Sequence, residues 1–243
     1  MSTEEKRTAV AVVVGAGPGL GAALARRFAQ GGYKVGLLAR SRPALIELAR
    51  QLEQATQATV LAVAADAAVE SEIDRAFAEV RAALGDPEVL IYNPAIRPRG
   101  TLLETTPAVF EQTWRTVALG AFLCARAVVP YMVSRGAGVL LFSGATAGVK
   151  PSASSAAFGP AKFALRGLAQ VLARDLGPKG VHVAYVNIDG MIDTPLARQR
   201  LAAPAVAGML NPAAIAETYW QVAHQDRSAW THELDLRPFG ESF

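Results

Sequence analysis

Ala9–Val14 is an unbroken run of alanine and valine. It ends on Gly15-Ala-Gly17-Pro-Gly19-Leu-Gly21, which leads directly into a helical stretch, Ala22–Gln30. A run apolar at every position suits a strand buried on both faces of a parallel sheet. Parallel strands cannot be joined by a hairpin and need a long crossover, usually a helix. This opening therefore commits the chain to alternating strands and helices. The turn has a second use. Glycines let backbone approach a pyrophosphate, which then rests on the free N–H groups at the start of the helix. Gly15, Gly17, Gly19, Leu20 and Gly21 form the expected phosphate loop, and Pro18 removes one N–H donor from it.

The remaining segments keep the same rhythm. Lys34–Ala39 reads as a second strand, Pro43–Ala55 as an amphipathic helix with Leu45, Leu48 and Leu52 on one face, and Thr59–Ala65 as a third strand. Val69–Leu84 is helical, Val89–Tyr92 is a strand, and Thr105–Arg135 is one long helix stopped by Gly136 and Gly138. Val139–Phe142, the helix Phe158–Leu176, the strand Val181–Ile188, the helix Pro212–His224 and the strand Thr231–Leu236 complete the set. The expected fold is an α/β, Rossmann-type doubly wound parallel sheet of about seven strands with helices on both faces. At 243 residues the chain is read as a single domain, 1–243, with residues 190–212 as a lid over a pocket.

Composition narrows the function classes. A net charge of +3, with basic residues scattered singly or in pairs, gives no nucleic-acid arm. One cysteine, Cys124, excludes an internal disulfide and fits a reducing compartment. The charged start MSTEEKRT followed by a short β-branched run is neither a secretion signal nor a membrane span, so a cytoplasmic location without membrane attachment is expected. No metal site is expected. The second strand ends in Ala39-Arg40, with no acid to take a ribose 2′-hydroxyl. An arginine there accommodates a 2′-phosphate, so NADP(H) is favoured over NAD(H).

The spacing Gly15-x3-Gly19-x-Gly21 and the segment Phe158-Gly-Pro-Ala-Lys162 together resemble the short-chain dehydrogenase/reductase family, and the resemblance runs along essentially the whole chain. It implies that Asp66, closing the third strand, contacts the adenine amine. A turn-forming aspartate is the alternative. It implies that Asn93, opening Asn93-Pro94-Ala95-Ile96 where relatives show Asn-Asn-Ala-Gly, lies beside the adenosine ribose. Asp189-Gly190-Met191-Ile192-Asp193-Thr194 resembles the family's P-G-x-x-x-T, with Asp189 in the proline's place. Ile192 and Thr194 are then implied to hold the nicotinamide half, and Thr194 is equally compatible with capping the next helix. Assembly as a homodimer or homotetramer is implied as well.

The catalytic positions depart from that family. Relatives use an Asn, a Ser, a Tyr and a Lys. Here the corresponding residues are Val117, Ala145, Phe158 and Lys162. Ser143 lies one pleat before Ala145, about 6–7 Å away along a strand, too far to substitute. A lysine near its ordinary pKa is also a poor proton donor at neutral pH unless it is strongly perturbed. Two readings follow. One is an atypical NADP(H)-dependent oxidoreductase that passes hydride to a small substrate needing no tyrosine, such as a conjugated enoyl or dienoyl compound. The other is a catalytically inactive nucleotide-binding homologue, a sensor or scaffold. Asp189, Ser155, Thr146 and Tyr219 are candidate polar groups near the pocket.

Overall fold

The computed structural model describes residues 9–200 and 208–240. Seven parallel strands form one sheet in the order β3-β2-β1-β4-β5-β6-β7. They are β1 (Val10–Val14), β2 (Lys34–Ala39), β3 (Val60–Ala64), β4 (Val89–Tyr92), β5 (Gly138–Ser143), β6 (Val181–Ile188) and β7 (Glu233–Leu236). The connecting helices are α1 (Leu20–Gln30), α2 (Arg42–Thr56), α3 (Glu70–Leu84), α4 (Pro107–Trp114), α5 (Gly120–Arg135), α6 (Phe158–Leu176), α7 (Pro195–Arg200) and α8 (Pro212–Ala223).

The two-residue period of a strand splits β1 between two cores. Val10, Val12 and Val14 pack with Phe77 of α3, Val128 of α5 and Leu165 of α6. Ala11 and Val13 pack with Leu24 of α1, Leu45 of α2 and Tyr219 of α8 on the opposite face. β1 pairs with both β2 and β4, with Val12 level with Gly36 on one side and Leu90 on the other. The direction of winding reverses there, which opens a crevice beyond the strand ends.

The expected Thr105–Arg135 helix begins later and is not uniform. Thr106 caps it by accepting a bond from the Val109 amide, with Pro107 in the first turn. Between α4 and α5, Arg115–Leu119 widens into a π turn, and the hydroxyl of Tyr92 donates to the Thr116 carbonyl. By length and composition the run Pro107–Arg135 could cross a bilayer, but 50% of its most apolar window is buried within the protein. Of the expected lid, residues 201–207 lie outside the described residues, as do the first eight and the last three of the chain.

Candidate active site

All the strands end on the same edge of the sheet, and the loops that leave them build two clefts. The first, about 430 Å³, is lined by Gly15, Gly17, Leu20, Arg40, Asp66 and Asn93, among others. The second, about 670 Å³, is lined by Ala145, Phe158, Lys162 and Thr194. Asn93, Ala95 and Ile192 line both, so the clefts form one continuous trough.

The glycine loop is shaped by close backbone packing. Gly15 has φ +81°, and a Cβ on it would lie 2.7 Å from the Pro94 nitrogen. A Cβ on Gly21 would lie 2.4 Å from the Gly15 carbonyl oxygen. Gly17, by contrast, has open space where a Cβ would point. α1 starts at Leu20 with no side-chain cap and no acidic residue in its first turn. Its positive end is therefore uncompensated and suited to an anion. These features fit the pyrophosphate of a dinucleotide.

Asp66 has two partners in its own loop: a carboxylate oxygen accepts from the Ala68 amide, and its backbone N–H donates to Glu72. It forms the turn before α3 and also lines the cleft. Thr194 likewise lines the second cleft while its hydroxyl caps α7 at the Ala197 amide. Asn93 donates to the Gly15 carbonyl and so ties the β4 loop to the phosphate loop.

The four positions implied to be catalytic are not all brought together. Phe158 and Lys162, one turn apart on α6, and Ala145, after β5, line the second cleft. Val117 does not; it lies in the π turn and its side chain is 0% exposed within the core. Lys162 is 2% exposed, and its ammonium donates to the Ser143 carbonyl at 2.7 Å, 5.6 Å from the centre of the Phe158 ring. Burial without a carboxylate partner pushes its pKa down to about 7. The condition set by the sequence argument, a strong perturbation, is met.

Tyr219 has to be reassigned. It is completely buried on the α8 side of the sheet and does not itself line the cleft; its hydroxyl bonds Oγ of the lining residue Ser143 at 2.8 Å. Burial pushes the Tyr219 phenol pKa up, an effect the Ser143 bond partly offsets. Asp189 is also no wall of the trough. Its buried carboxylate is gripped by Arg237, approached by Lys150 at 3.4 Å and hydrogen-bonded by Thr146. Burial alone would raise its pKa, but these partners hold it below the ordinary carboxylate range. The aspartate in the proline's place thus anchors the segment after β7 beneath the cleft. A buried carboxylate demands a counter-cation, so the signal was the charge itself. Two lining cations, Arg97 and Lys150, went unmarked by the sequence reading; both lie in loops that leave the strand ends.

A family model described as short chain dehydrogenase matches residues 9–205. The chain belongs to the short-chain dehydrogenase family. Among proteins of this family, the 2-(R)-hydroxypropyl-CoM dehydrogenase of Xanthobacter autotrophicus is 34% identical over 198 residues, 80% of this chain and 79% of that protein. A short-chain dehydrogenase structure from Rhodopseudomonas palustris is 35% identical with a TM-score of 0.82, covering 96% of this chain and 100% of that one. A metagenomic short-chain oxidoreductase in complex with NADP is 27% identical with a TM-score of 0.83, covering 96% and 98%.

Proposed function

We propose that this short-chain dehydrogenase binds NADP(H) along the trough and acts as an oxidoreductase without the Asn, Ser and Tyr of its relatives. The observation that carries this reading is the phenyl ring of Phe158 in the wall beside Lys162. The hydroxyls around it are already engaged by the protein: Ser143 with Tyr219, Thr146 with Asp189, Ser152 with Ser155. Gly15, Gly17, Gly19, Leu20 and Gly21 would hold the pyrophosphate. Arg40, with no acid on the end of β2, supports a 2′-phosphate, and the NADP complex of the metagenomic relative supports the same choice. When bound, the nicotinamide supplies a hydride.

A positioned acid is worth roughly 10²–10⁴ in rate for carbonyl reduction, and Phe158 cannot provide one. A conjugated enoyl or dienoyl acceptor avoids this requirement. With hydride delivered to the far carbon of the double bond, the carbonyl-stabilised carbanion would take its proton from water or from the Lys162 ammonium. Lys162 then regains a proton from solvent. Its lowered pKa suits that exchange near neutrality.

The inactive alternative rests on Val117, which is sealed in the core and leaves no polar group at the relay position. One panel separates the readings: the protein, NADPH, and enoyl, dienoyl and simple ketone substrates, followed by nicotinamide absorbance. Turnover confined to conjugated substrates supports the oxidoreductase; NADPH binding with no turnover supports the binding protein. Brisk reduction of simple ketones that persists in Lys162→Ala overturns both.

A further inference from the structure

Lys162 has the surroundings of a nucleophile. It lines the larger cleft yet is only 2% exposed. Its Nζ donates one hydrogen to the Ser143 carbonyl at 2.7 Å. That bond uses a hydrogen and leaves the lone pair of the neutral amine free. No described residue that lines the cleft is a carboxylate, so the wall does not fix the amine in its charged form. The Phe158 ring, centred 5.6 Å from Nζ, adds bulk and no proton. Ile188, Met191 and Ile192 give the same cleft an apolar wall. A lysine desolvated in such a pocket attacks carbonyl carbon. Burial lowers the pKa of Lys162 to about 7, so about half of it is neutral amine at pH 7.

We propose that Lys162 condenses with the carbonyl of a conjugated aldehyde or ketone, and that the resulting iminium is the activated form of the substrate. The inference rests on the oxidoreductase reading of the trough. It narrows the conjugated acceptor to a free aldehyde or ketone, because esters and thioesters do not condense to imines. The Nζ lone pair forms the C–N bond while the carbonyl π pair moves to oxygen. The nitrogen passes one proton to that oxygen, solvent adds a second, and water leaves. The iminium keeps one hydrogen and a positive charge on nitrogen. That charge draws electrons from the far carbon, which is the task a simple ketone assigns to a general acid. NADPH is the reductant. Hydride received at the far carbon gives an enamine, which water protonates at the carbon beside the former carbonyl and then hydrolyses. The saturated product leaves and the amine is restored.

The imine can be trapped without coenzyme. The full-length protein is incubated at pH 7 with trans-2-hexenal or hexanal and sodium cyanoborohydride, and its digest is read by mass spectrometry. Cyanoborohydride fixes an imine as a secondary amine. That product has lost the carbonyl oxygen, which a conjugate-addition product keeps, and hexanal has no double bond to undergo conjugate addition. Lys162 should carry about tenfold more condensation product than Lys150 or Lys179, although those side chains are 44% and 46% exposed. The comparison is made within one digest and needs no variant. Lys162→Arg keeps the charge and forms no such imine. It should lose the adduct, and its reduction of hexenal by NADPH should fall by about a hundredfold. Circular dichroism melts establish that the variant is folded.

Labelling of Lys162 no stronger than that of the surface lysines overturns the proposal, as does conjugate addition without condensation. Reduction of hexenal that survives in folded Lys162→Arg overturns it too, and leaves the oxidoreductase reading in place. Should Lys162 be trapped in a protein that ignores NADPH, the oxidoreductase reading fails and the imine-forming lysine stands.

Discussion

At the scale of single residues, the decisive group is Lys162. Its ammonium has a folded-state pKa of about 7 against an ordinary 10.5, because burial penalises the charge. Between those two values the unfolded chain carries a proton that the folded chain does not. Stability therefore rises with pH across that window, by up to about 1.4 kcal/mol per pH unit, and this contribution is at its lowest below pH 7. Lys162→Met should flatten the profile and stabilise the protein most at pH 6. Urea denaturation of both proteins from pH 6 to 10 measures this, and superimposable slopes would refute the assignment. The lysine itself was legible from its place in Phe158-Gly-Pro-Ala-Lys162. Its perturbation was not, since burial depends on Ser143 and Phe158 closing around it.

At the scale of elements, the end of β2 is where the proposed coenzyme choice can be tested. β2 delivers Ala39 and Arg40 to the cleft beside Asp66. Arg40→Ala should weaken NADPH by about tenfold to a hundredfold, the scale of one charge-assisted contact, and leave NADH nearly unchanged. Fluorescence titration with both nucleotides checks this; equal losses would remove Arg40 from the 2′-phosphate. The order of strands and helices was readable because β-branched runs and leucine spacing carry their own periodicity. Boundaries moved: α1 begins at Leu20, not Ala22, and the long helix begins after its cap, Thr106. The π turn at Arg115–Leu119 escaped detection, because one extra residue in a turn leaves no mark in the apolar pattern. That Tyr219 stands behind the cleft wall was unreadable for a related reason. Helical periodicity says that a face is buried but not on which side of the sheet.

At the scale of the whole molecule, the segment after β7 is tied to the base of the site. Asp189, with 4% of its side chain exposed, is paired with Arg237, 16% exposed, from beyond β7. Arg237→Met leaves a buried carboxylate with weaker support and should cost about 3 kcal/mol, whereas adding Asp189→Asn should recover most of that loss. Chemical denaturation of the two single variants and the double variant gives the coupling directly, and strict additivity would mean that the pair contributes nothing specific. A second tie runs through Ser143. Its carbonyl receives Lys162 from one side of the sheet, and its hydroxyl meets Tyr219 from the other. One residue at the tip of β5 thus works as a rivet through both layers. A substitution in α8 that displaces Tyr219 should therefore reach the amine in the cleft through Ser143. The back of this protein belongs to its front.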